Sequence, residues 1–303
     1  MNAAYVTVVG GVNVDVCGKS FAPLISADSN PGRVSLSLGG VGRNIAHNLS
    51  LLGVRTSLLT AIADDAFEGR IRADCQEAGI DLSRTLTVPG GRASVYLAIE
   101  DPSGDMALAL CDAELSSHVT PDYLRGNLDL LNAARAVVLD ANLSAEAVAF
   151  LAENVRAPLF ADTVSVTKAE TLRPVLGRLF LLKPNRLEAE LLSGVPIKDR
   201  NSLELAAAKL LQTGLKRVCI SLGSEGVYCA WENERCLAPC PPTRLVNASG
   251  GGDAMMAGFV RAFLDARPIE QAAAFALACS SIAVEGAETI NPALSTENAR
   301  RRT

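Results

Sequence analysis

The 303-residue sequence predicts an α/β fold: an open, mostly parallel sheet with helices between its strands and a small β excursion attached. Three observations carry that prediction. From Gly53 onward, apolar segments alternate between strand-like and helix-like periodicity, the rhythm of successive βα units. Two stretches, about 16–38 and 91–112, interrupt the rhythm with short alternating strands and turn residues. Two glycine-rich runs, Gly39–Gly42 and Gly250–Gly252, lead directly into helical apolar patterns.

Tyr5–Gly10 is a buried first strand that ends in Gly10-Gly11-Val12-Asn13-Val14-Asp15. Ligands of open parallel sheets gather at the carboxyl ends of strands. Asn13 and Asp15 alternate with valines, so both can point one way and hold the hydroxyls of a polyol. A self-bonded turn accounts for the same pair equally well. Residues 16–38 contain the turn Ala27-Asp28-Ser29-Asn30-Pro31-Gly32 and do not resemble a βα unit. Gly39-Gly40-Val41-Gly42-Arg43-Asn44 then opens the helix Ile45–Leu52, stopped by Gly53.

Thr56–Ala61 follows as strand and Phe67–Ala78 as helix. Ser94–Ile99 and Met106–Cys111 form a hairpin across Asp101-Pro102-Ser103-Gly104-Asp105. If the two excursions pair into one sheet, it becomes a lid over the site, with Ser94, Tyr96 and Asp112 as candidate contacts. The βα rhythm resumes with helix 121–131, strand 136–140, helix 145–154, strand 159–161, helix 168–176 and strand 179–182. Lys183-Pro184-Asn185-Arg186-Leu187-Glu188 follows that last strand. Asn185 and Glu188 fit a capping box, and they equally fit a pair that orients water around magnesium. Strand 218–221 ends in Ser221-Leu222-Gly223-Ser224-Glu225-Gly226, a hydroxyl and bare backbone suited to phosphate oxygens. A hairpin at 227–237 and an alanine-rich helix to about Glu285 complete the core, and 293–303 is a frayed polar tail.

Between these last elements lies Asn247-Ala248-Ser249-Gly250-Gly251-Gly252-Asp253. Met256, Phe259, Val260, Phe263 and Leu264 mark one buried helical stripe, so the helix begins at about Gly250–Asp253. Exposed N–H groups and the positive end of the helix dipole make an anion site there. A carboxylate beside an anion site repels a static phosphate. It suits a base that takes the proton of a hydroxyl attacking phosphorus while the N–H groups hold the transferring group. A first-turn Asp also stabilises a helix start by itself.

Composition excludes other classes. The formal charge is −5 and there is no Lys/Arg run, so nucleic acid is not an expected partner. No basic segment precedes Tyr5–Val9, and Ala272–Val284 is too short to span a bilayer, so a soluble cytoplasmic protein is expected. The eight cysteines do not make a disulfide scaffold. Cys236 and Cys240, with Cys229 nearby, lack a second close pair or a histidine partner in sequence, so no zinc site is expected.

Four runs stand in fixed order: GGVNVD, GGVGRN, KPNRLE and NASGGGDAMMAG. In this order the chain resembles the ribokinase-like (PfkB-type) carbohydrate kinases over essentially its whole length, and within them the branch that phosphorylates pseudouridine. The resemblance implies a single 1–303 domain, three-layered α/β/α, with a small β-sheet lid. It implies transfer of the ATP γ-phosphoryl group to a primary hydroxyl, the 5′-hydroxyl of a nucleoside, with Asp253 as base and Gly250, Gly251 and Gly252 as anion hole. Asn13, Asp15, Gly40, Gly42, Arg43 and Asn44 then belong to the acceptor site. Lys183, Asn185, Ser221, Gly223, Gly226 and Asn247 belong to the nucleotide, and Asn185 and Glu188 organise Mg²⁺ through water. Dimerisation through the lid is implied by the same likeness.

Three departures accompany it. Gly251 stands where the family usually has Ala, Asn247-Ala248 replace Asp-Thr, and Ala63 replaces a Gly. The second puts the family's monovalent-cation site in doubt. Ribose, adenosine and fructose-type acceptors share the scaffold, and a non-catalytic nucleoside or sugar sensor is the alternative from another class. A dinucleotide oxidoreductase is disfavoured because no glycine fingerprint sits on the first βα turn.

Overall fold

Nine strands form the central sheet of the structure, a computed structural model that describes residues 5–303; residues 1–4, part of the basic-free start, lie outside it. The strands are β1 (Tyr5–Val9), β2 (Asn13–Ser20), β3 (Gly32–Gly39), β4 (Arg55–Leu59), β5 (Ala61–Ala63), β6 (Ile80–Asp81), β7 (Leu86–Val88), β8 (Val95–Glu100), β9 (Met106–Asp112), β10 (Ala136–Asp140), β11 (Leu159–Asp162), β12 (Leu181–Lys183), β13 (Arg217–Ser221), β14 (Val227–Trp231) and β15 (Glu234–Ala238). The main order is β15-β14-β13-β12-β11-β10-β1-β4-β6. All pairings from β13 to β6 are parallel, and β14 and β15 add an antiparallel edge.

A parallel sheet survives only when both faces are covered. Here Val6 and Val8 point into one apolar layer, shared with the helices Val41–Leu51, Gly251–Leu264 and Ile269–Val284. Val9 points into the other, shared with the helices Ala145–Asn154, Arg186–Ser193 and Arg200–Gln212. The side-chain period of two thus explains why these strands read as continuous apolar runs.

The two excursions form one four-stranded sheet, β3-β2-β8-β9. Its first strand begins at Asn13, so the GGVNVD run is more than the end of strand one: the chain leaves β1 at Gly10 and enters the lid with Asn13 and Asp15 already on β2. The carboxyl tail is a second correction. Residues 296–300 are helical, capped by Ser295, and Thr296 donates to the Leu52 carbonyl at 2.8 Å. Arg302 binds Ser281 Oγ at 2.9 Å and Glu285 at 2.6 Å. Polar composition there reflects docking through hydrogen bonds rather than fraying. The predicted 168–176 helix is instead a short α-turn, Val166–Ala169, followed by a 3₁₀ stretch, Glu170–Arg178, with Pro174 inside it.

Candidate active site

The anion helix starts at Gly251, with Gly250 as its left-handed N-cap at φ 77°. No side chain caps this end, so the first-turn N–H groups of Gly251, Gly252 and Asp253 have no capping partner, and Gly252 and Asp253 line the adjoining cavity. Gly251 is fixed by packing as well as by the turn. A Cβ there would lie 2.7 Å from Val284 Cγ1, so the glycine occupies a filled place.

Asp253 follows in the first turn, 9% exposed. Its Oδ2 accepts a hydrogen bond from Asn44 Nδ2 at 2.9 Å. Asn44 belongs to the Val41–Leu51 helix, whose N-cap is Gly40 at φ 96°. The two glycine-opened helices therefore converge on one carboxyl group. Burial pushes that carboxyl up to about 8, and the Asp162 charge adds to this; the Asn44 bond and Lys183 act in the opposite direction.

A cavity of about 230 Å³ opens beside Asp253, lined by Val41, Asp162, Val164, Lys183, Asn185, Glu188, Ser221 and Gly252. Lys183 and Asp162, both buried at the ends of adjacent strands, form an ion pair at 3.1 Å. Burial alone lowers the Lys183 ammonium, but Asp162, then Asp253 and Glu188, outweigh it and hold the lysine charged. Its Nζ lies 3.4 Å from where a side chain on Gly252 would begin, beside the anion loop. The lysine is thus a fixed cation next to a bare helix end.

Asn185 and Glu188 form a complete capping box: Asn185 Oδ1 accepts from Glu188 N at 2.9 Å, and Glu188 Oε2 accepts from Asn185 N at 2.8 Å. Thr163 Oγ1 also donates to Glu188. The pair nevertheless lines the cavity, so capping and ligand contact coexist. Mg²⁺ prefers one or two protein oxygens supplemented by water and phosphate. Ser221 sits beside Asn185 through an isolated bridge, and Gly223 and Gly226 shape the turn after it, which Arg186 braces through Glu225 at 2.6 Å.

On the acceptor side, Asn13 donates to Asp15 Oδ1, and the Asp15 carboxyl lies against the Gly39 backbone. Burial raises that carboxyl to about 6, against the opposing effects of the Asn13 bond and the Arg43 charge. Gly42 lets the helix start approach the end of β1, where a Cβ would meet the Gly10 backbone at 2.8 Å. Tyr96 is the register partner of Asp15 and shares its face of the lid. Ser94 is buried, and its hydroxyl has no hydrogen-bond partner among the described residues.

Three expected contacts are placed differently. The Arg43 guanidinium is buried and bonded to Asp74, the Leu38 carbonyl and Asn44 Oδ1, so it orients Asn44 rather than presenting a free cation. Asp112 is exposed, pairs with Val95 on the opposite face of the lid from Tyr96, and accepts from Glu114 N at 3.4 Å. Asn247 spends its amide on Ser249 N and the Ala287 carbonyl, closing the loop before the anion helix.

Sequence reasoning missed Asp140, Asp162 and Thr163. Asp140 is fully buried at the end of β10, and its Oδ2 accepts from Gly11 N at 2.9 Å. Burial pushes its carboxyl up. The available signal was an acid closing an apolar strand, in Val-Leu-Asp140 and Phe-Ala-Asp162.

Comparison with known proteins identifies the family and the fold. The model of the pfkB family carbohydrate kinases matches residues 3–297. Pseudouridine kinase of Escherichia coli is 39% identical over 296 residues, 97% of this chain and 95% of that protein. A sugar kinase structure from Clostridium perfringens superposes with a TM-score of 0.88 at 30% identity, covering 99% of this chain and 96% of that one. Arabidopsis thaliana ribokinase complexed with ribose and ATP has the same fold, with a TM-score of 0.90 at 21% identity, covering 99% and 98%. A bare helix end, a buried carboxyl and a fixed lysine thus lie in a matching frame, and the chain belongs to the pfkB family of carbohydrate kinases.

Proposed function

We propose that this kinase transfers the γ-phosphoryl group of ATP to the 5′-hydroxyl of a nucleoside, with pseudouridine as the acceptor. The observation that carries the reading is Asp253, a buried carboxyl held by Asn44 on the acceptor side and facing Lys183 across the cavity. Asp253 takes the proton of the hydroxyl as its oxygen bonds to phosphorus and the bond to the β-phosphate oxygen breaks. The N–H groups of Gly250–Gly252 hold the transferring oxygens, and Lys183 neutralises their charge. Asn13, Asp15 and Gly40 position the ribose-like part. Asn185 and Glu188 line the cavity where they would hold Mg²⁺ through water, and the ion would supply charge neutralisation. The 39% identity to a pseudouridine kinase supports the acceptor.

The commitment of Asn247 to loop closure supports turnover without a required monovalent cation. The lid also carries an exposed apolar row on one face. Exposed Leu36 and Leu110 flank the half-buried Val16 and Leu97 in register, with exposed Val34 and Leu108 beside them. Such a face supports a homodimer through the lids, and a light-scattering mass of one chain overturns it. Among the described residues no helix is long and apolar enough to cross a membrane.

The test is ATP consumption with magnesium against pseudouridine, uridine, adenosine, ribose and fructose 6-phosphate, in sodium and potassium buffers. Turnover on pseudouridine well above the rest is expected. Turnover on a different acceptor keeps the kinase and discards the acceptor.

A further inference from the structure

Resting on the nucleoside-kinase reading, we propose that Lys168 and Asn142 form the part of the acceptor pocket that recognises a carbonyl-bearing heterocycle, so the enzyme selects a nucleoside base over a bare sugar. Neither residue is prominent in sequence. The fold brings them together above the carboxyl ends of β10 and β11, where Lys168 Nζ donates to Asn142 Oδ1.

Asp140 sets the position of Asn142. Its Oδ1 accepts from Asn142 N at 2.9 Å while its Oδ2 accepts from Gly11 N at 2.9 Å. One buried carboxyl therefore ties the Asn142 turn to the Gly11 turn that leads into Asn13 and Asp15. Asn142 Nδ2 lies 3.5 Å, and Ser116 Oγ 3.6 Å, from where a side chain on Gly11 would begin. Lys168 is placed by the other adjoining loop. Val164, at φ 62°, turns the chain sharply, its N–H bonded to Asp162 Oδ1 at 2.9 Å, and Ser165 caps the short helical turn that bears Lys168. A β-branched residue in that backbone region is an outlier that surrounding structure must hold. The same Val164 lines the phosphate cavity, so one loop serves both reactants.

The chemistry of this group is one-sided. Lys168 makes one side-chain hydrogen bond among the described residues, to a neutral amide, and two of its three donors are unspent. The Asn142 NH₂ shares one donor with the Asp140 carboxyl, which leaves the other, and Ser116 adds a hydroxyl. The unspent Lys168 donors, with no carboxylate among their hydrogen-bond partners, suit ring carbonyl oxygens, whereas the ribose hydroxyls have Asp15 and Asn13 as acceptors. A phosphosugar is disfavoured because the second nearby cation, Arg43, is committed to Asp74.

Calorimetric binding of pseudouridine, ribose and fructose 6-phosphate, with steady-state kinetics on the full chain, tests the assignment. The wild type is expected to bind pseudouridine at least about tenfold tighter than ribose, the scale of one charge-assisted hydrogen bond. Lys168→Met and Asn142→Ala should each remove most of that preference and raise the pseudouridine KM by about 10- to 100-fold. Ribose affinity and the ATP KM should stay put, and Lys168→Arg should recover part of the loss. Equal weakening of ribose and pseudouridine in a variant with unchanged melting temperature overturns the assignment, as does a wild type that prefers the phosphosugar. Base-selective binding without turnover sinks the kinase reading and keeps this site; turnover without base preference does the reverse.

Discussion

The two glycine-opened helices are the same backbone device with one side chain changed. Val41–Leu51 begins after Gly40 and has no acid in its first turn, while Gly251–Leu264 begins after Gly250 and carries Asp253 there. Both ends lack a side-chain cap, but the first spends its Arg43 N–H on the Gly11 carbonyl at 3.1 Å, while the second adjoins the cavity through Gly252 and Asp253. The first delivers an amide donor, Asn44, and the second a carboxyl acceptor, bonded to each other at 2.9 Å. A helix end alone binds anions; a helix end with a buried carboxyl held from the opposite helix can also move a proton. Replacing that carboxyl makes the two ends alike. Asp253→Asn should lower kcat by about 10²–10⁴, the range of general-base contributions, with acceptor and ATP affinities nearly unchanged. A variant that retains most of its kcat would leave the two helices chemically equivalent.

The second difference lies in packing. Gly251→Ala restores the residue usual in the family, yet here its methyl meets Val284 Cγ1 at 2.7 Å. The expected outcome is a shifted anion loop and a kcat lower by roughly 10- to 100-fold, since displacements near 1 Å carry losses of that size. Adding Val284→Ala should restore much of the rate. An unimpaired single variant would show that the helix start tolerates movement.

A smaller effect concerns the bond between the helices. Asn44 donates to the ionised form of Asp253 and so holds its proton affinity down. The reaction needs the carboxylate, so kcat/KM should rise with pH through about 8 in the wild type. Asn44→Ala removes the donor, and the acid limb should move to higher pH by about one unit, in line with a lost charge-assisted bond. An unmoved limb would mean that Asn44 only fills space.

Much of this site was legible because it is written in runs. GGVGRN and NASGGGDAMMAG each place backbone conformation, helix start and functional side chain within a few residues, and local rules reach that far. The parallel sheet was legible too, because strands buried on both faces leave long apolar runs. Pairings across 100 or more residues were not. Nothing local to Lys183 announces Asp162, and nothing near Gly11 announces Asp140. Arg43 was misread for the same reason: its pocket-like neighbourhood is local, while its partner Asp74 comes from the next helix. Asn247 and Asp112 were assigned by motif position and lid membership, and long-range closure and strand register decided otherwise.

The last predicted effect is thermodynamic. Asp253 is raised to about 8 in the folded protein, against 3.8 for a free carboxyl. Between those values the folded state holds a proton that the unfolded chain has released, so this group makes stability fall as pH rises from about 4 to about 8. Asparagine keeps an oxygen for Asn44 and carries no titration. The melting temperature of Asp253→Asn minus that of the wild type should therefore grow from pH 5.5 to pH 8, by about 2–4 °C for each kcal/mol of released strain. Asp15, raised to about 6, titrates in both proteins and cancels in the difference. The helix of residues 41–51 supplies the control, since Asn44→Asp would place a second carboxyl against the first and steepen the loss of stability with pH. Parallel melting curves for Asp253→Asn and wild type at every pH would mean that Asp253 is ionised throughout. The carboxylate would then be ready to accept a proton over the whole range, and the acid limb of kcat/KM would lie below pH 5.5 instead of near 8.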